Sequence, residues 1–490
     1  MYSFLISLVA LVFGYLLYGK FVEKVFGPEP ARPTPAVTKQ DGVDFIPMPT
    51  WKVFMIQFLN IAGTGPIFGA IMGAKFGPAS YLWIVLGCIF AGAVHDYFSG
   101  MLSIRHGGAG LPDVVGTYLG KTTKKVMLVF SVLLLLLVAT VFVYSPAIIL
   151  RDIAGDGTTK FFMIWVGIIF IYYIIATMLP IDKVIGKVYP LFAIALLFMA
   201  VALGVGLIVK WPTIPEIWDG LANRGESVGV NQPLFPCLFI TIACGAISGF
   251  HATQSPLMAR CLKSEKLGRP IFYGSMITEG IVALVWAAVS SYFFFGGGAA
   301  ELGSDLSAQA PTVVTVVSKG WLGVVGGVLA ILGVVAAPIT SGDTALRSCR
   351  LIVADFAKFS QKSVRNRLII SIPLFVVVGL LLWFNISQED GFNLIWRYFG
   401  WANQTLSIFV LWSASVYLAR KKKGHYYIIT FLPACFMTSV CMTYICTAKI
   451  GLNLPTKLNP LIAIVTFIAS FALFYVWKTK KGKTPLPPEV

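Results

Sequence analysis

Charged residues are scarce in this sequence. Asp, Glu, Lys and Arg make up 12% of its 490 residues, whereas 57% are hydrophobic and the mean hydropathy is +0.82. A soluble protein of this length could not bury so much apolar surface, so the composition indicates a polytopic membrane protein. The net charge of +17 could suggest nucleic acid as a partner. However, the basic residues lie in short clusters between apolar spans, which argues against nucleic acid and for a lipid bilayer.

Signatures of metal and enzyme sites are also missing. None of the eight cysteines forms a CxxC motif or a Cys/His cluster, so we expect small apolar fillers and no structural metal. No HExxH and no carboxylate pair within one span occurs, which argues against an enzyme and predicts no cofactor. There is no continuous polar stripe or ring of charge of the kind a channel needs. The longest polar stretch has roughly thirty residues, too few for the signalling domain of a membrane nutrient sensor.

Long apolar runs dominate what is present. Counting spans of about 20 residues predicts about thirteen transmembrane helices in an all-α fold. They lie near residues 2–19, 52–73, 79–99, 126–149, 161–179, 188–209, 234–257, 271–295, 321–341, 367–385, 394–418, 425–447 and 459–477. The first span has no charged region before it and no cleavage site, so we expect a retained helix rather than a signal peptide.

The distribution of basic residues predicts the orientation. If the N-terminus is outside, the cytoplasmic loops and the C-terminal tail hold 29 of the 38 Lys and Arg residues. The clearest clusters are residues 121–125, 420–423 and 478–483. This excess predicts a multi-pass membrane protein with the N-terminus outside and the C-terminus in the cytoplasm.

Five segments follow from the order of the spans. They are an extra N-terminal helix (1–20), a proline-rich cytoplasmic linker (21–50), a first set of five helices (51–210), a second set (232–420) and two C-terminal helices (424–478). Because five is odd, the second set crosses the membrane in the opposite direction to the first. This predicts a five-plus-five inverted-topology repeat.

Each set opens with a helix that is interrupted at bilayer depth. The first interruption lies at residues 60–66 and contains Gly63, Gly65 and a proline, and the second lies at 244–254. Glycine and proline disfavour a continuous helix, and an unwound backbone in hydrocarbon must line a protein-enclosed cavity. Two such breaks at corresponding positions predict the binding site of a transporter.

The free N–H groups of the half-helices could hold a substrate carboxylate without an arginine. The candidate substrate-binding residues are Asn60, Gly63, Thr64, Gly65, Gly245, Ser248, Gly249, His251, Asn403 and Gln404. The alternative interpretation of the glycines is close helix packing alone. No Asp or Glu lies within either break to bind an ammonium group, which favours a monocarboxylate over a peptide.

Ionisable groups inside spans are candidates for ion coupling, because burying them in a bilayer is costly. Glu279 lies deepest, and His251 could carry a proton or could be a neutral hydrogen-bonded ring. Asp343 follows Thr340 and Ser341, whose hydroxyls suit Na⁺, whereas a lone carboxylate suits a proton. The alternative for Asp343 is a cytoplasmic helix cap paired with Arg347.

Asp96 and Arg105 form a candidate gate pair at the inner end of their span, and the alternative for Asp96 is a solvated helix end. The choice between H⁺ and Na⁺ stays open at this point.

The sequence resembles the carbon starvation protein A (CstA) family, whose members are bacterial inner-membrane peptide and pyruvate transporters. The matching stretches are IAGTGPI (61–67), AGAVHDY (91–97), FITIACGAISGFH (239–251), GDTALR (342–347) and FGWANQ (399–404). The resemblance implies a LeuT-like fold and uptake of peptides or pyruvate during carbon starvation, driven by protons. Larger members carry a histidine pair before the first break, where this chain has Gln57 to Asn60.

The sequence therefore predicts a secondary transporter, a proton-coupled symporter of pyruvate or short peptides. The alternatives are a Na⁺-coupled amino-acid or peptide carrier and a membrane nutrient sensor that does not transport.

Overall fold

The apolar segments form long helices in the computed structural model. It describes residues 1–490 except 43, 155–157, 179–180, 362, 389–390, 422–423, 483, 487–488 and 490. In this part of the chain every regular element is helical. The main helices are α1 (Tyr2–Phe26), α2 (Thr50–Ile61), α3 (Gly65–Ala74), α4 (Ala79–Arg105), α5 (Leu111–Leu119), α6 (Lys121–Ala154), α7 (Thr159–Met178), α8 (Ile181–Lys210), α9 (Leu234–Thr241), α10 (His251–Ala259), α11 (Glu265–Phe295), α12 (Ala310–Ala357), α13 (Val364–Ser387), α14 (Gly391–Lys421), α15 (Ile428–Thr447) and α16 (Asn459–Lys481).

Fewer helices than predicted are apolar enough to span a membrane by themselves. Among the described residues there are ten such helices, or eleven if α2 and α3, which meet at a 53° bend, count as one. The other two predicted spans are also helical. One consists of the two short helices α9 and α10, and the other is α14, a helix of 31 residues. Breaks and buried polar residues lower the hydropathy of these two spans, so neither contains a continuous helix that is both long and apolar enough to be counted.

Contacts between loops define two faces of the helical bundle. On one face, which we call the Met1 face, the Met1 ammonium pairs with Glu216 and Lys75 Nζ donates to Leu306 O at 3.4 Å. On the opposite face Thr34 Oγ1 donates to Leu262 O at 2.5 Å, and Met48 N donates to Cys261 O at 3.2 Å. We call this second face the basic face, because Arg105, Arg260 and Lys421 make their contacts there. Which face is cytoplasmic stays a prediction from charge.

The two interrupted helices run in opposite directions. The pair α2 and α3 runs from the basic face to the Met1 face, and the pair α9 and α10 runs back. Helix α12 packs along α6 and α8, and α10 packs against α4. The interrupted helices lie inside the bundle, and most of their residues are buried, although Trp51 at the start of α2 is exposed.

Residues 21–50, which we predicted to be an extended linker, have a different structure. Its first residues continue α1 to Phe26, and the rest lies on the basic face rather than extending into solvent. Lys39 Nζ donates to Gly107 O at 2.9 Å, and Arg260 stacks on the Phe45 ring with its guanidinium carbon 5.0 Å from the ring centroid. We call residues 27–49, of which 43 is outside the described residues, the strap. Hydrogen bonds to backbone carbonyls and the contact of Arg260 with the Phe45 ring order the strap. A proline-rich composition does not predict such contacts.

Candidate functional site

The two helix breaks lie against each other in the centre of the bundle. A Cβ added at Gly65 would lie 2.3 Å from the Cys244 side chain, and one added at Gly245 would lie 2.4 Å from Cβ of Ala283. The same Gly245 position is 3.8 Å from Cα of Pro66, and Gly245 has φ +91°. Glycine is thus required here for close approach and, at position 245, for backbone conformation.

Helix α4 also reaches the second break. It contains a π-helical turn at Cys88–Gly92, and a Cβ at Gly92 would lie 2.1 Å from Ala246 O. Such turns are frequent at functional sites because they shift the register of the side chains that follow. The next residues on α4 are His95 and Asp96, which face α10.

Asp96 binds two histidines. Its Oδ1 is 2.8 Å from Nδ1 of His95, and its Oδ2 is 2.8 Å from Nδ1 of His251. Because a carboxylate only accepts hydrogen bonds, both Nδ1 atoms carry hydrogens. On its other side His251 Nε2 lies 3.3 Å from Oε2 of Glu279 on α11. These four side chains, all fully buried, form a chain that we call the histidine–carboxylate chain.

The contact between His251 and Glu279 requires a proton. With Nδ1 protonated, a neutral His251 presents a lone pair at Nε2, and an ionised Glu279 presents lone pairs as well. Lone pairs on the two groups repel each other, so the contact is favourable only if either His251 Nε2 or the Glu279 carboxylate carries a proton. A charge at the bilayer centre costs about 2.5–3.5 kcal/mol on insertion scales. Because the four groups also contact one another, a proton gained by one changes the charge that its neighbours experience, and we expect them to titrate as a unit.

Asn403 of α14 binds the start of α10. Its side-chain Oδ1 accepts from Phe250 N at 2.7 Å and from Ser248 Oγ at 3.1 Å, and its backbone O accepts from Gly249 N at 3.2 Å. At the second break, where the sequence predicted a substrate carboxylate, Asn403 thus binds two N–H groups in this conformation. Its backbone oxygen accepts from Gly249 N and its carboxamide oxygen from Phe250 N. The neighbouring Gln404 donates from Nε2 to Phe239 O at 2.8 Å and so faces α9.

Asn60 and Thr64 flank the first break and have unmet hydrogen-bonding capacity. Both are fully buried, and within the described part of the chain neither the Asn60 amide atoms nor Thr64 Oγ1 has a partner. A buried polar group without a partner costs about 1–3 kcal/mol, so a ligand or water is expected there. Gly63 lies against α6, where a Cβ would be 2.5 Å from the Phe142 ring.

A second polar cluster lies on α12. Ser341 Oγ donates to Leu59 O at 2.9 Å, which ties α12 to the end of α2. Tyr189 of α8 donates to Asp343 Oδ2 at 2.9 Å, and Thr340 Oγ1 donates to carbonyls of its own helix. The helix-cap alternative for Asp343 is wrong, because α12 continues to Ala357 and buries Asp343 in its interior. Arg347 instead donates to Ala176 O at 2.9 Å.

The predicted gate pair of Asp96 and Arg105 does not form, and the solvated-end alternative for Asp96 is also wrong. Asp96 is fully buried between histidines, whereas Arg105 binds Glu265 with Nε–Oε1 at 2.6 Å. The physical reason is the length of α4. The helix continues beyond the predicted span to Arg105 and places the arginine at the basic face, away from the bilayer depth of Asp96.

Sequence reasoning missed three of these residues. His95 precedes Asp96 in the same motif, and that adjacency was the available signal. Tyr189 lies in an apolar span and Glu265 in a basic loop, and neither position carries a local signal of its partner. No Asp or Glu lies within either break itself, but Glu279 approaches the second break from α11. Its neighbour Gly280 has a Cβ position 3.4 Å from Gly245 O.

The same centre offers donor atoms of the kind that bind metals. Ligand atoms of Cys244, His251 and Glu279 lie within 4.8 Å of one another. Such a mixture of thiol, imidazole and carboxylate could hold a soft divalent cation as well as exchange a proton.

A cavity of about 800 Å³ opens on the Met1 face. Its lining residues include Phe68, Thr241, Gly400, Lys75, Arg397 and Lys449, and they include no residue of either break. The cavity thus reaches α3, α9 and α14, the helices that build the site.

Comparison with known proteins assigns the family. The profile of the family described as carbon starvation protein CstA matches residues 1–164, 147–320 and 297–444. The chain belongs to this family. The CstA-family resemblance inferred from the break motifs is therefore confirmed.

Relatives of this CstA-family chain carry transporter names. The peptide transporter CstA of Campylobacter jejuni is 28% identical over an alignment of 540 positions, gaps included. The alignment covers 86% of this chain and 76% of that protein. The pyruvate/proton symporter BtsT of Escherichia coli is 27% identical over 341 residues, or 56% and 47% of the two chains. An uncharacterized membrane protein of Haemophilus influenzae is 47% identical over 336 residues, or 59% and 91%. The chain is a membrane transporter and not an enzyme.

Solved structures of transporters share the fold. A manganese transporter of Eremococcus coleocola aligns with a TM-score of 0.55 at 11% identity, covering 91% of this chain and 99% of that one. MhsT in complex with L-phenylalanine aligns with a TM-score of 0.56 at 13% identity, covering 86% and 98%. At this identity the likeness concerns the fold alone, and it confirms the predicted LeuT-like architecture.

Proposed function

We propose that this CstA-family chain is a proton-coupled symporter that takes up a small carboxylate nutrient, pyruvate or a short peptide, across the bacterial cytoplasmic membrane. The observation that carries the proposal is the buried histidine–carboxylate chain beside the two helix breaks. The names of the relatives, a peptide transporter and a pyruvate/proton symporter, support the substrate class and the choice of a proton over a metal ion.

Charge accounts for coupling. With Asp96 ionised and one proton shared by His251 and Glu279, the chain has a net charge of about −1 by ordinary protonation states. A substrate carboxylate entering beside it adds a second negative charge in a low-dielectric site, which is unfavourable. A further proton on the chain removes that repulsion. Proton and anion therefore bind more strongly together than alone, which is the condition for symport.

Asn60 and Thr64 are the side chains proposed to contact the substrate at the first break, since their polar atoms are buried without partners. Asn403 holds the N–H groups of α10 and would have to release them, or share them, for a carboxylate to bind there. Glu279 lies close enough to the breaks to meet an ammonium group, so the charge of the site is compatible with pyruvate and with a peptide.

Alternating access is the proposed mechanism. The cavity on the Met1 face reaches α3, α9 and α14, while on the basic face the strap and the ends of α4 and α11 are in contact. The conformation described corresponds to a carrier open towards the Met1 face, which the charge distribution predicts to be outside. Release on the other side requires the strap contacts to open.

A Na⁺-coupled amino-acid or peptide carrier is the second candidate, favoured by the contact of Ser341 Oγ with Leu59 O. Two positions further along α12, Asp343 Oδ1 is buried without a hydrogen-bond partner in the described residues. A hydroxyl, a carbonyl and a carboxylate are oxygen ligands of the type that Na⁺ prefers. The earlier expectation of a Na⁺ site near Thr340 and Ser341 stays a proposal on this basis.

Uptake into liposomes tests both candidates. The purified protein is reconstituted, and accumulation of labelled pyruvate is measured under a pH gradient and, separately, under a Na⁺ gradient, with unlabelled dipeptides as competitors. We expect accumulation driven by the pH gradient and unchanged by a metal chelator. Accumulation under the Na⁺ gradient alone would overturn proton coupling, and inhibition by dipeptides would identify the peptide class. No uptake of pyruvate or of labelled dipeptides under either gradient would favour the nutrient-sensor alternative.

A further inference from the structure

Arg105 lies fully buried at the end of α4 on the basic face. Its Nη2 donates to Glu265 Oε2 at 2.8 Å and to Gly27 O at 3.1 Å, and its Nε donates to Glu265 Oε1 at 2.6 Å. Its guanidinium carbon is 5.0 Å from the centroid of the Phe26 ring. The two-pronged bond to Glu265 is the strong geometry for an arginine and a carboxylate.

A residue of the C-terminal tail completes this cluster. Glu489 Oε2 accepts from Arg105 Nη1 at 2.7 Å and from Arg32 Nη1 at 2.9 Å. Its Oε1 accepts from Tyr417 OH at 3.3 Å and lies 3.6 Å from Lys421 Nζ. Burial raises the pKa of Glu489, but its bond to Arg105 and the nearby Lys421 and Arg32 outweigh burial and lower the pKa below its ordinary value. Glu489 is therefore ionised at neutral pH.

The charges of the cluster balance only when Glu489 is present. The cations are Arg105, Arg32 and Lys421, and the carboxylates are Glu265, Glu489 and Glu29, which lies 3.4 Å from Arg105 Nη1. Without Glu489 one positive charge is in excess beside a fully buried guanidinium. An uncompensated buried charge is costly, so the three cations form a pocket that requires one more carboxylate.

The cluster joins the elements that build the functional site. Arg105 ends α4, which carries Asp96, and Glu265 begins α11, which carries Glu279. Lys421 ends α14, which carries Asn403, and Arg32 lies in the strap. Any movement that opens the basic face must separate these helix ends or displace the strap.

We propose that Arg105, Arg32 and Lys421 form a carboxylate-binding socket, that Glu489 of the chain's own tail occupies it, and that the occupied socket holds the basic face closed. The tail then acts as a tethered ligand that sets how often this face opens. The proposal concerns closure of one face and does not depend on the identity of the substrate or the coupling ion.

Alkylation of Cys261 by N-ethylmaleimide tests the closure. Cys261 is fully buried next to the end of α10, and its carbonyl accepts from Met48 N of the strap. In the purified full-length Glu489→Gln variant we expect Cys261 to react roughly tenfold faster than in the wild type, because a charge-assisted hydrogen bond is lost. Cys441, buried in α15, is the control within the same molecule and should react at the wild-type rate.

Two further samples make the result decisive. Glu226→Gln removes an exposed carboxylate on the Met1 face and should leave Cys261 protected. A synthetic peptide with the sequence of residues 482–490 should slow Cys261 alkylation again when added to Glu489→Gln. Equal Cys261 rates in the wild type and Glu489→Gln would overturn the proposal, as would equal acceleration by Glu226→Gln. Glu489 is changed rather than Arg105, because removing Arg105 would leave Glu265 buried without its partner and could unfold the protein.

Discussion

At the scale of single residues, the centre of this transporter depends on where protons reside. Asp96 accepts hydrogen bonds from two imidazoles, and His251 can face Glu279 only if a proton lies between them. In the bilayer interior no bulk water screens these charges, so each protonation change is felt by its neighbours. This arrangement makes the charge of the site depend on one proton, which is what coupling to an anionic substrate requires.

The first prediction concerns Glu279. The Glu279→Gln variant keeps the volume of the side chain but cannot be ionised, so proton binding and substrate binding become independent. We expect stimulation of uptake by a pH gradient to fall by roughly 5- to 150-fold, the usual range for a lost coupling free energy. Initial uptake rates in liposomes, measured across a series of pH gradients, check this.

Glu226→Gln serves as the matched control for this prediction, because Glu226 is an exposed glutamate in a loop of the Met1 face. Its uptake should respond to the pH gradient as in the wild type. If Glu279→Gln kept an unchanged pH dependence, Glu279 would not take part in proton coupling.

At the scale of helices, the breaks are places where two backbones approach too closely for any side chain. Gly249 illustrates this at the start of α10, where an added Cβ would lie 2.3 Å from Asn403 O and 2.4 Å from Ser407 N. Both atoms belong to the backbone of α14 and cannot rotate away. A larger residue must therefore move one helix relative to the other.

The second prediction follows from that contact. Gly249→Val should abolish uptake while the protein still folds into the membrane, since overpacking costs about 1–3 kcal/mol. Gly379→Val is the matched control, because Gly379 on α13 has nothing within 4 Å of its Cβ position. Uptake is measured together with size-exclusion profiles of both variants. Normal uptake by Gly249→Val would remove the second break from the transport mechanism.

At the scale of the whole molecule, the two faces differ in charge and in contacts. The Met1 face opens through the cavity, whereas the basic face is closed by the strap and the Glu489 socket. The excess of Lys and Arg on the basic face predicts that it is cytoplasmic. In the proposed uptake mechanism, substrate enters through the cavity and leaves past the strap.

The third prediction tests this orientation with single introduced cysteines. Glu226→Cys lies on the Met1 face and Thr122→Cys at the start of α6 on the basic face, and both positions are exposed. In intact cells a membrane-impermeant maleimide should label Glu226→Cys only, and Thr122→Cys should react after permeabilisation. Cys446→Ser is included in both, because Cys446 is the partly exposed native cysteine. The opposite labelling pattern would reverse the orientation.

Several features of the fold were predictable because they depend on local sequence. The length of the apolar runs predicts the spans. The breaks follow from the glycines and prolines at Gly63 to Pro66 and at Gly245 to Gly249. The odd number of helices from one break to the next predicts the inverted repeat. Family motifs at the same residues gave the LeuT-like fold. The end of α4 at Arg105 and that of α12 at Ala357 were misjudged, because buried polar residues extend these helices beyond the apolar run.

The sequence by itself determined that this chain is an all-helical membrane transporter with two opposed helix breaks, because hydropathy, glycine and proline placement and basic clusters act over a few residues. Only the tertiary structure decided which polar groups meet. Asp96 and His251 are 155 positions apart, and Arg105 and Glu265 are 160 positions apart. Burial makes an unpaired charge costly, so partners are selected by three-dimensional proximity in the packed bundle. No local pattern records such a pairing.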